Sequence, residues 1–538
     1  MTVLTIYQEF QLSLRSVEKF HVCFSLLALL LAWRIWNFVI YPRIYPDEVK
    51  HLPYWIPGHA IPFFWNSNKL YKQAKDSFPQ EPCALRVVGQ DIVIVTSAAQ
   101  IKEIDRNTED FDFDAVLDVM YDEIAKIPRK NKSLLWRTPG EGYASIFPNP
   151  KGLSMAHHGF DMLHSQLIPQ AGMMRTLDYS IRELESTLRW DSFYPRCVIA
   201  ESDDIKLVSL ERLSWDSLFQ SIVLSFMGPG LFKLEPNLSQ YFSQWDYHSW
   251  QVTYQLPGFL AKRASKPKDH AIEILRQYLE APAEQRAGSV PFIDQVYNDY
   301  RASGLPSRDI AGIIFSILWA LSSTSATTAY WMLAHLTRFP EVIEELRREI
   351  TPMMREIDLT SESHPEKLVD IAKAHILKGC PILNSTFSET VRFISTGSSA
   401  RQAKHDTIFG GKRVAKRTRF LIPQRIQTMS FDAFGQDADE FDSYRFARDP
   451  SLIRKVEFRG FGGGASMCRG KPIGRAQSGL FIALMLWRYD VEMVGPDQNV
   501  LGVTGKPFPR LDEARPSIGP AKPKGSDDMI LRLSRRKV

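Results

Sequence analysis

From Arg308 to Arg338 the chain carries about 30 residues of helical pattern that is apolar on almost every face. A helix apolar all round is stable only when it is buried, so the rest of the chain has to be arranged around it. At its middle the apolar texture gives way to Ser322-Ser323-Thr324-Ser325 and then Thr327-Thr328. Hydroxyls inside a helix bond back to the carbonyl one turn earlier and bend the axis, and they hold water in an otherwise dry interior. Two readings fit these residues: a Ser- and Thr-lined contact between helices, or a hydroxyl-bearing site at the centre of the fold.

A second stretch narrows the choice. Gly460-Phe461-Gly462-Gly463-Gly464-Ala465-Ser466-Met467-Cys468-Arg469-Gly470 runs three consecutive glycines into a single cysteine, ahead of an apolar helix pattern. Glycine backbone packs closely against a flat ligand and takes positive φ at no steric cost. A cysteine at a helix start feels the positive end of the macrodipole, and Arg469, Lys471 and Arg475 follow it. Both effects are expected to lower the thiol pKa and favour thiolate, the form that binds metal. Two plainer readings stand beside this one. A free cysteine is commonly a small buried hydrophobe. Gly460 to Ala465 also fits the G-x-G-x-x-A dinucleotide pattern, with Lys455 to Arg459 as the preceding strand, although the acid due about 20 residues on is missing.

Hydrophobic residues at 44% and charged residues at 24% describe an ordinary globular chain with ample core. The length of 538 residues accommodates several domains or one large fold. A net charge of +5 over this length gives no footprint for nucleic acid. Cys23, Cys83, Cys197, Cys380 and Cys468 are odd in number and contain no C-x-x-C pair. That excludes a zinc ribbon and argues against a disulfide framework.

Residues 21–41 form the one candidate membrane segment, reaching the ~20 residues a bilayer requires. Arg34 interrupts it, close enough to the end to snorkel, and Trp33, Trp36 and Tyr41 suit an aromatic belt. The competing reading is a signal peptide, but no small-x-small cleavage site follows Arg34. Lys and Arg flank both ends, so charge does not orient it. Pro42, Pro46, Pro53, Pro57 and Pro62 follow and read as a stiff extended spacer. Leu85 to Val95 reads as two short strands about Gly89-Gln90, and Ser97 caps a helix through Ile104. His157, His158 and His164 do not have helical ligand spacing beyond a coarse 1-and-7 offset and read as solvated side chains or as side chains at the edge of a bound group. The aromatic run from Tyr241 to Phe259 reads as core rather than as a ligand site.

Taken with its spacing, the cysteine stretch resembles the Phe-x-x-Gly-x-x-x-Cys-x-Gly loop of the cytochrome P450 family, with Phe461, Gly464, Cys468 and Gly470 in register. Its wording is most similar to the branch holding sterol 7α-hydroxylases and prostacyclin synthase. The position two before the cysteine, usually Arg or His there, is Ser466. Other segments resemble the family in the same order. The long helix resembles the one crossing the oxygen face of the haem, with Ser325 at the threonine position and Thr324 at the acid position. Glu389-x-x-Arg392 and Arg445-Phe446 resemble the pieces of a buried ion triad, although Ala438 and Ser443 replace two customary prolines. Arg401 falls where the family places a propionate-binding arginine, whose fork suits a carboxylate.

The resemblance implies a mainly α fold with small β-sheets, the cytochrome P450 fold, as a single large haem domain behind a transmembrane anchor. The divisions are a tail at 1–20, the anchor at 21–41, a proline-rich hinge at 42–66 and a haem-thiolate catalytic domain at 67–538. It implies haem b (iron protoporphyrin IX) with Cys468 thiolate as axial ligand, and Phe461, Gly464, Gly470 and Arg401 as further cofactor-binding residues. Ser325 and Thr324 would be the catalytic hydroxyls on the oxygen side, where a carboxylate is absent. The implied activity is a monooxygenase on a hydrophobic sterol- or terpenoid-like or other specialised-metabolite substrate. Implied partners are NADPH–cytochrome P450 reductase, docking near Arg469, Lys471 and Arg475, and cytochrome b5. The implied location is the endoplasmic reticulum membrane, with the catalytic domain facing the cytosol. Two alternatives remain: a haem-thiolate isomerase or dehydratase acting without a reductase, and a non-catalytic haem-binding sensor at the membrane.

Overall fold

The computed structural model describes residues 21–167, 171–360, 370–371, 375–376, 379–517, 519–525 and 527–536, so the expected tail at 1–20 lies outside the described residues. The chain folds as two compact units. One comprises Met1–Trp65, Lys69–Asp112 and Arg401–Ile422, the other Asn66–Asn68, Phe113–Ala400 and Pro423–Val538.

In the first unit, His21–Ile44 is one helix of 24 residues, whose most apolar 18-residue window has mean hydropathy 1.8 and is wholly unburied. It is long and apolar enough to cross a membrane. Arg34 is held from within the unit: a guanidinium N–H donates to the Tyr54 carbonyl at 2.7 Å, and the group lies 4.4 Å from the Trp55 ring centroid. The proline-rich segment after it does not run as an extended spacer. Pro42 sits in the first turn of the last helical stretch, Lys50–His51 pairs in parallel with Cys83 and Ala84, and a helix restarts at Ala60. Proline is as much at home in first turns and at sheet edges as in spacers. Cys83–Val87 and Gln90–Ile94 form an antiparallel hairpin, whose turn residues Val88 and Gly89 have φ of 48° and 76°. Both central residues at positive φ match the twist that a two-residue hairpin demands. The Ser97 hydroxyl accepts from the Gln100 N–H and caps Ala98–Arg106. Lys50–His51 and these two strands join Arg419–Pro423, Ser398–Ala403 and Phe111–Asp112 in a six-stranded sheet.

The second unit is mainly helical. Its framework helices are α1 (Ala171–Thr187), α2 (Leu210–Met227), α3 (Leu238–Thr253), α4 (Ser307–Leu336), α5 (Pro381–Ile394) and α6 (Lys471–Arg488). A four-stranded sheet of Tyr489–Met493, Ile530–Arg535, Ile205–Ser209 and Val198–Glu201 sits with them. The central helix α4 packs on α2, α5 and α6, and 78% of its most apolar window is buried. It is therefore a core helix despite its hydropathy. Its hydroxyls bond back as the pattern predicts: Ser322 to the Leu318 carbonyl at 2.6 Å, Thr328 to that of Thr324 at 2.7 Å. The helix runs through them without interruption. Phe242 and Trp245 of α3 pack on Phe315 and Trp319 of α4, with centroids 4.6 and 5.4 Å apart, so one face of the aromatic run is core.

The dinucleotide reading is overturned here. Lys455 to Arg459 forms turns and irregular chain after a short 3-10 helix, Pro450–Arg454, and no strand leads into the glycines. Without strand–turn–helix geometry the glycine pattern has no phosphate cradle. Two of the three histidines have structural partners. His158 bonds the Tyr143 hydroxyl at 2.7 Å and the Pro148 carbonyl at 3.1 Å, while His157 faces Asp114 at 2.9 Å. Among the described residues no group of three or more His, Cys, Asp or Glu is placed to hold a metal.

Candidate active site

The glycine stretch forms a loop that folds back on itself ahead of α6. Gly462 and Gly464 have φ of 72° and 60°, and the Cys468 N–H donates to the Phe461 carbonyl at 2.9 Å. Gly460 presses on α5 so closely that a Cβ there would lie 2.2 Å from a Val391 methyl carbon. The Phe461 ring stacks on Phe387 of α5 at 6.1 Å, and the Ser466 hydroxyl donates back to the Gly463 carbonyl at 3.3 Å. The loop is thus fixed by its own turns and by α5.

That arrangement delivers Cys468 to a cavity of ≈ 250 Å³. Ala320, Leu321, Thr324, Ser325 and Thr328 of α4 line it, as do Phe461, Gly470 and Gly474. The sulfur is exposed on its cavity side, yet the packed backbone around its other sides strips it of water and pushes the thiol pKa up. The Gly470 and Lys471 N–H groups and the Lys471 charge pull it down by less. The expected net lowering is therefore corrected: desolvation outweighs the helix-start effect, and deprotonation falls to a bound cation.

The cavity has flat walls. A Cβ at Gly470 would lie 3.7 Å from the Cys468 sulfur and 3.8 Å from a Leu321 methyl, one at Gly474 3.6 Å from the Ser325 hydroxyl, and one at Gly519 3.9 Å from the Thr324 methyl. Side chains at these three positions would fill the space between the thiol and α4.

The two hydroxyls on α4 differ. Ser325 is buried; its Oγ donates to the Leu321 carbonyl at 3.2 Å and lies 3.5 Å from the Gln477 carbonyl oxygen. Gln477 in turn donates to Ser180 at 2.8 Å. Thr324, although it too bonds back to Ala320 at 3.2 Å, is exposed to the cavity. It also lines a second cavity of ≈ 280 Å³, which shares Ala320, Thr324, Gly519 and Pro520 with the first.

Glu389, Arg392 and Arg445 come together beneath the loop. The Arg392 fork donates to both Glu389 oxygens at 2.6 and 2.8 Å, and Arg445 donates to one of them at 3.2 Å. Glu389 and Arg392 are fully buried, and Arg445 is nearly so. The remaining donors go to backbone and to one further acid: Arg392 bonds the Thr428 and Ala438 carbonyls at 2.9 and 2.6 Å, and Arg445 bonds the carbonyls of Phe434 and Asp437 at 2.7 and 2.8 Å and the Asp437 carboxylate at 2.9 Å. Buried charges persist only when paired and hydrogen-bonded in this way. Ala438 thus keeps its place through its carbonyl where a proline ring is missing. Arg401 belongs to the first unit, where it is buried 3.7 Å from Asp105.

The basic residues after Cys468 do not form a continuous surface patch. Lys471 lies over the Phe461 ring at 5.1 Å and Arg475 beside Phe387 at 6.0 Å. Burial lowers the pKa of both, and Arg469 alone of the three is exposed.

Sequence reasoning missed the polar wall of the second cavity, where Asp246 of α3 meets Ser323 of α4 and Lys522. An aspartate inside an aromatic run matches no catalytic spacing, so nothing local marked it.

A thiol facing the hydroxyl-bearing middle of a long buried helix, across a cavity flattened by glycines, defines a thiolate haem-protein class of site. The family profile described as Cytochrome P450 matches residues 216–503, which is more than half of the chain, and the chain belongs to the cytochrome P450 family. It is similar to the cytochrome P450 monooxygenase nodJ of Hypoxylon pulicicidum, 22% identical over 46% of this chain and 50% of that one. It is similar to the 7-alpha-hydroxycholest-4-en-3-one 12-alpha-hydroxylase of Homo sapiens, 25% identical over 45% and 48%. It is also similar to the cytochrome P450 monooxygenase poxD of Penicillium oxalicum, 21% identical over 84% and 89%. The chain spans about half the length of the first two of these relatives. The family implies haem held by a cysteine thiolate, and the residues present fit it. The donor is a cysteine open to the cavity, the walls include Leu321, Val391, Phe461 and Ile473, and three glycines leave the plane clear.

Proposed function

We propose that the chain is a haem-thiolate monooxygenase, acting on a hydrophobic sterol- or terpenoid-like or other specialised-metabolite substrate. The single observation that carries this reading is that the Cys468 sulfur and the Thr324–Ser325 pair line the same cavity. In this reading the Cys468 thiolate would hold the iron of haem b, and Phe461, Gly464 and Gly470 would line the bound group. Bound there, haem supplies the reduction of O2 and insertion of one oxygen atom into the substrate. The protein's own part is positional. The loop presents the sulfur, the Glu389–Arg392–Arg445 triad holds the chain beneath it, and the apolar walls exclude water. Thr324 and Ser325 hold and pass protons at their hydroxyl oxygens.

Electrons would come from an NADPH-dependent flavin reductase, with cytochrome b5 as a further donor. The apolar helix at 21–41, the segment 42–66 and the catalytic body at 67–538 would hold the site at the endoplasmic reticulum membrane, facing the cytosol. The names of relatives that act on sterol and triterpenoid molecules, such as the human 12-alpha-hydroxylase and the Glycyrrhiza uralensis beta-amyrin 11-oxidase, support the substrate class. The test is reconstitution with reductase, NADPH and heavy-isotope oxygen gas against sterols and triterpenoids. Product bearing one heavy oxygen atom, absent without reductase, is expected. Rearranged product formed without reductase would replace this reading with the isomerase.

A further inference from the structure

We infer that the second cavity is a substrate pocket with a polar anchor at its far wall, and that the ligand it takes is an uncharged, largely apolar molecule carrying a carbonyl or hydroxyl oxygen. The inference rests on the monooxygenase reading for what happens at the other end of that molecule, but its geometry is independent of it.

The anchor is a built cluster. Asp246, on the inner face of α3, is buried within a cavity that also presents Phe113, Val116, Met120 and Trp250. One carboxylate oxygen accepts from the Trp319 indole N–H at 2.6 Å and from the Ser323 hydroxyl at 2.7 Å, both on α4. The other accepts from Lys522. A buried charge in apolar surroundings is costly unless so paired, and the cluster holds four side chains from three segments in one place.

The segment carrying Lys522 is itself pinned. The Trp331 indole of α4 donates to the Ala521 carbonyl at 2.8 Å, and the Ala521 N–H donates to the Ile394 carbonyl of α5 at 2.8 Å. An ammonium has three donors. One goes to Asp246 and the ammonium lies 6.0 Å from the Trp215 ring centroid, so Lys522, which lines both this cavity and a smaller one beside Trp215, keeps donors for a ligand oxygen.

Charge decides the ligand class. Asp512 also lines the cavity and pairs with Arg515 at 3.2 Å. The acids Asp246 and Asp512 balance the bases Lys522 and Arg515. Each acid is already paired with a base, so a carboxylate or ammonium ligand would have to break one of these pairs to find a countercharge. A neutral oxygen avoids that cost and still receives a charge-assisted hydrogen bond. The cavity shares Ala320, Thr324, Gly519 and Pro520 with the one that Cys468 faces. A molecule anchored at Lys522 therefore extends toward Thr324, and its reacting carbon is the one furthest from the anchored oxygen.

The test titrates haem-loaded full-length protein with three compact probes of one skeleton: adamantane, adamantanone and adamantane carboxylate. Binding is read by the Soret shift and by the thermal midpoint. Adamantanone is expected to bind about tenfold tighter than adamantane, and the carboxylate no tighter than the hydrocarbon. Lys522→Met should abolish the ketone's advantage. Because that variant leaves Asp246 unpaired, the Asp246→Asn/Lys522→Met double variant removes both charges at once and should abolish it too. Lys524→Met, exposed on the same segment, should keep it. A ketone no better than the hydrocarbon, a preference for the carboxylate, an advantage that survives in the double variant, or no probe binding at all overturns the inference. A reduced-CO spectrum recorded on the same samples separates this failure from that of the haem reading, since a thiolate-type spectrum with no ketone preference rejects the anchor alone.

Discussion

The wall of the cavity that carries Cys468 is assembled from residues close together in the chain. Phe461 to Gly470 turn on their own glycines, and the triad beneath them draws two of its three members from one helical turn. The opposite side is assembled from far apart: Asp246, Ser323 and Lys522 meet across 276 residues of chain. The first kind of wall holds its geometry by backbone conformation and by arginines spent on carbonyls, so it has little freedom. The second depends on three segments keeping register, and it is where substrate specificity has room to vary. Under the proposed function, catalytic geometry is encoded locally and ligand choice by tertiary packing.

The largest expected effect lies on the local side. Glu389→Gln removes the charge shared by Arg392 and Arg445 and leaves the buried Arg392 guanidinium without a carboxylate, Arg445 keeping only Asp437, which costs about 3–5 kcal/mol. Urea midpoints and the yield of haem-loaded protein should both fall sharply. An unchanged midpoint would show that the backbone carbonyls and Asp437 alone hold the arginines.

On the distal side the electrostatics are tunable by pH. Glu211 at the start of α2 has its carboxyl pKa raised to about 7, first by burial and then by Asp528, with Asp246 adding to the rise and Lys522 and Arg212 opposing it. Below 4.5 both folded and unfolded states hold the proton. Between 4.5 and about 7 the folded state keeps a proton that the unfolded state releases, so stability falls as pH rises through that window and then levels off. Glu211→Gln should be free of this loss and gain on the order of 3 kcal/mol relative to wild type between pH 4 and pH 8. Paired denaturation curves at the two pH values check it, and parallel curves would contradict the shift.

A smaller effect separates the two α4 hydroxyls. Thr324 is open to both cavities, whereas Ser325 is turned back to Leu321 and Gln477. Thr324→Ala should lower the fraction of NADPH electrons recovered in product about tenfold and raise peroxide release, since proton delivery is typically worth 10²–10⁴-fold and only part of it is removed. Ser325→Ala should do less. The reverse order would make the buried hydroxyl the proton carrier. The smallest change is expected at Gln477→Leu, which frees the Ser325 hydroxyl and should shift electron recovery by roughly twofold, the size of one weak hydrogen bond.

What was legible in the sequence follows the same division. The hairpin about Gly89, the Ser97 cap and the long helix were readable because each is a short-range pattern with its own steric or hydrogen-bonding reason, whereas the ion triad was legible only through the family resemblance, since Arg445 stands 56 residues beyond Glu389 and an isolated Glu-x-x-Arg reads as a surface pair. The first unit's sheet was not, since it pairs Ile92, Val93 and Ile94 with Arg419, Phe420 and Leu421, and no local signal announces a partner that distant. The proline-rich segment misled because proline serves first turns as well as spacers. The Cys468 thiol misled because the helix-start effect is visible in sequence and desolvation is not. The facing of Thr324 could not be read either: with hydroxyls at Ser322 to Ser325 and again at Thr327 and Thr328, every side of the helix is polar, and only packing decides which side is open.

The most direct test of the central claim is the absorption spectrum of the reduced, CO-bound protein, wild type beside Cys468→Ala. The account predicts the strongly red-shifted Soret band of thiolate ligation in the wild type and its loss in the variant. A wild-type spectrum without that band in folded, haem-loaded protein, or a variant that retains it, would contradict Cys468 as the ligand.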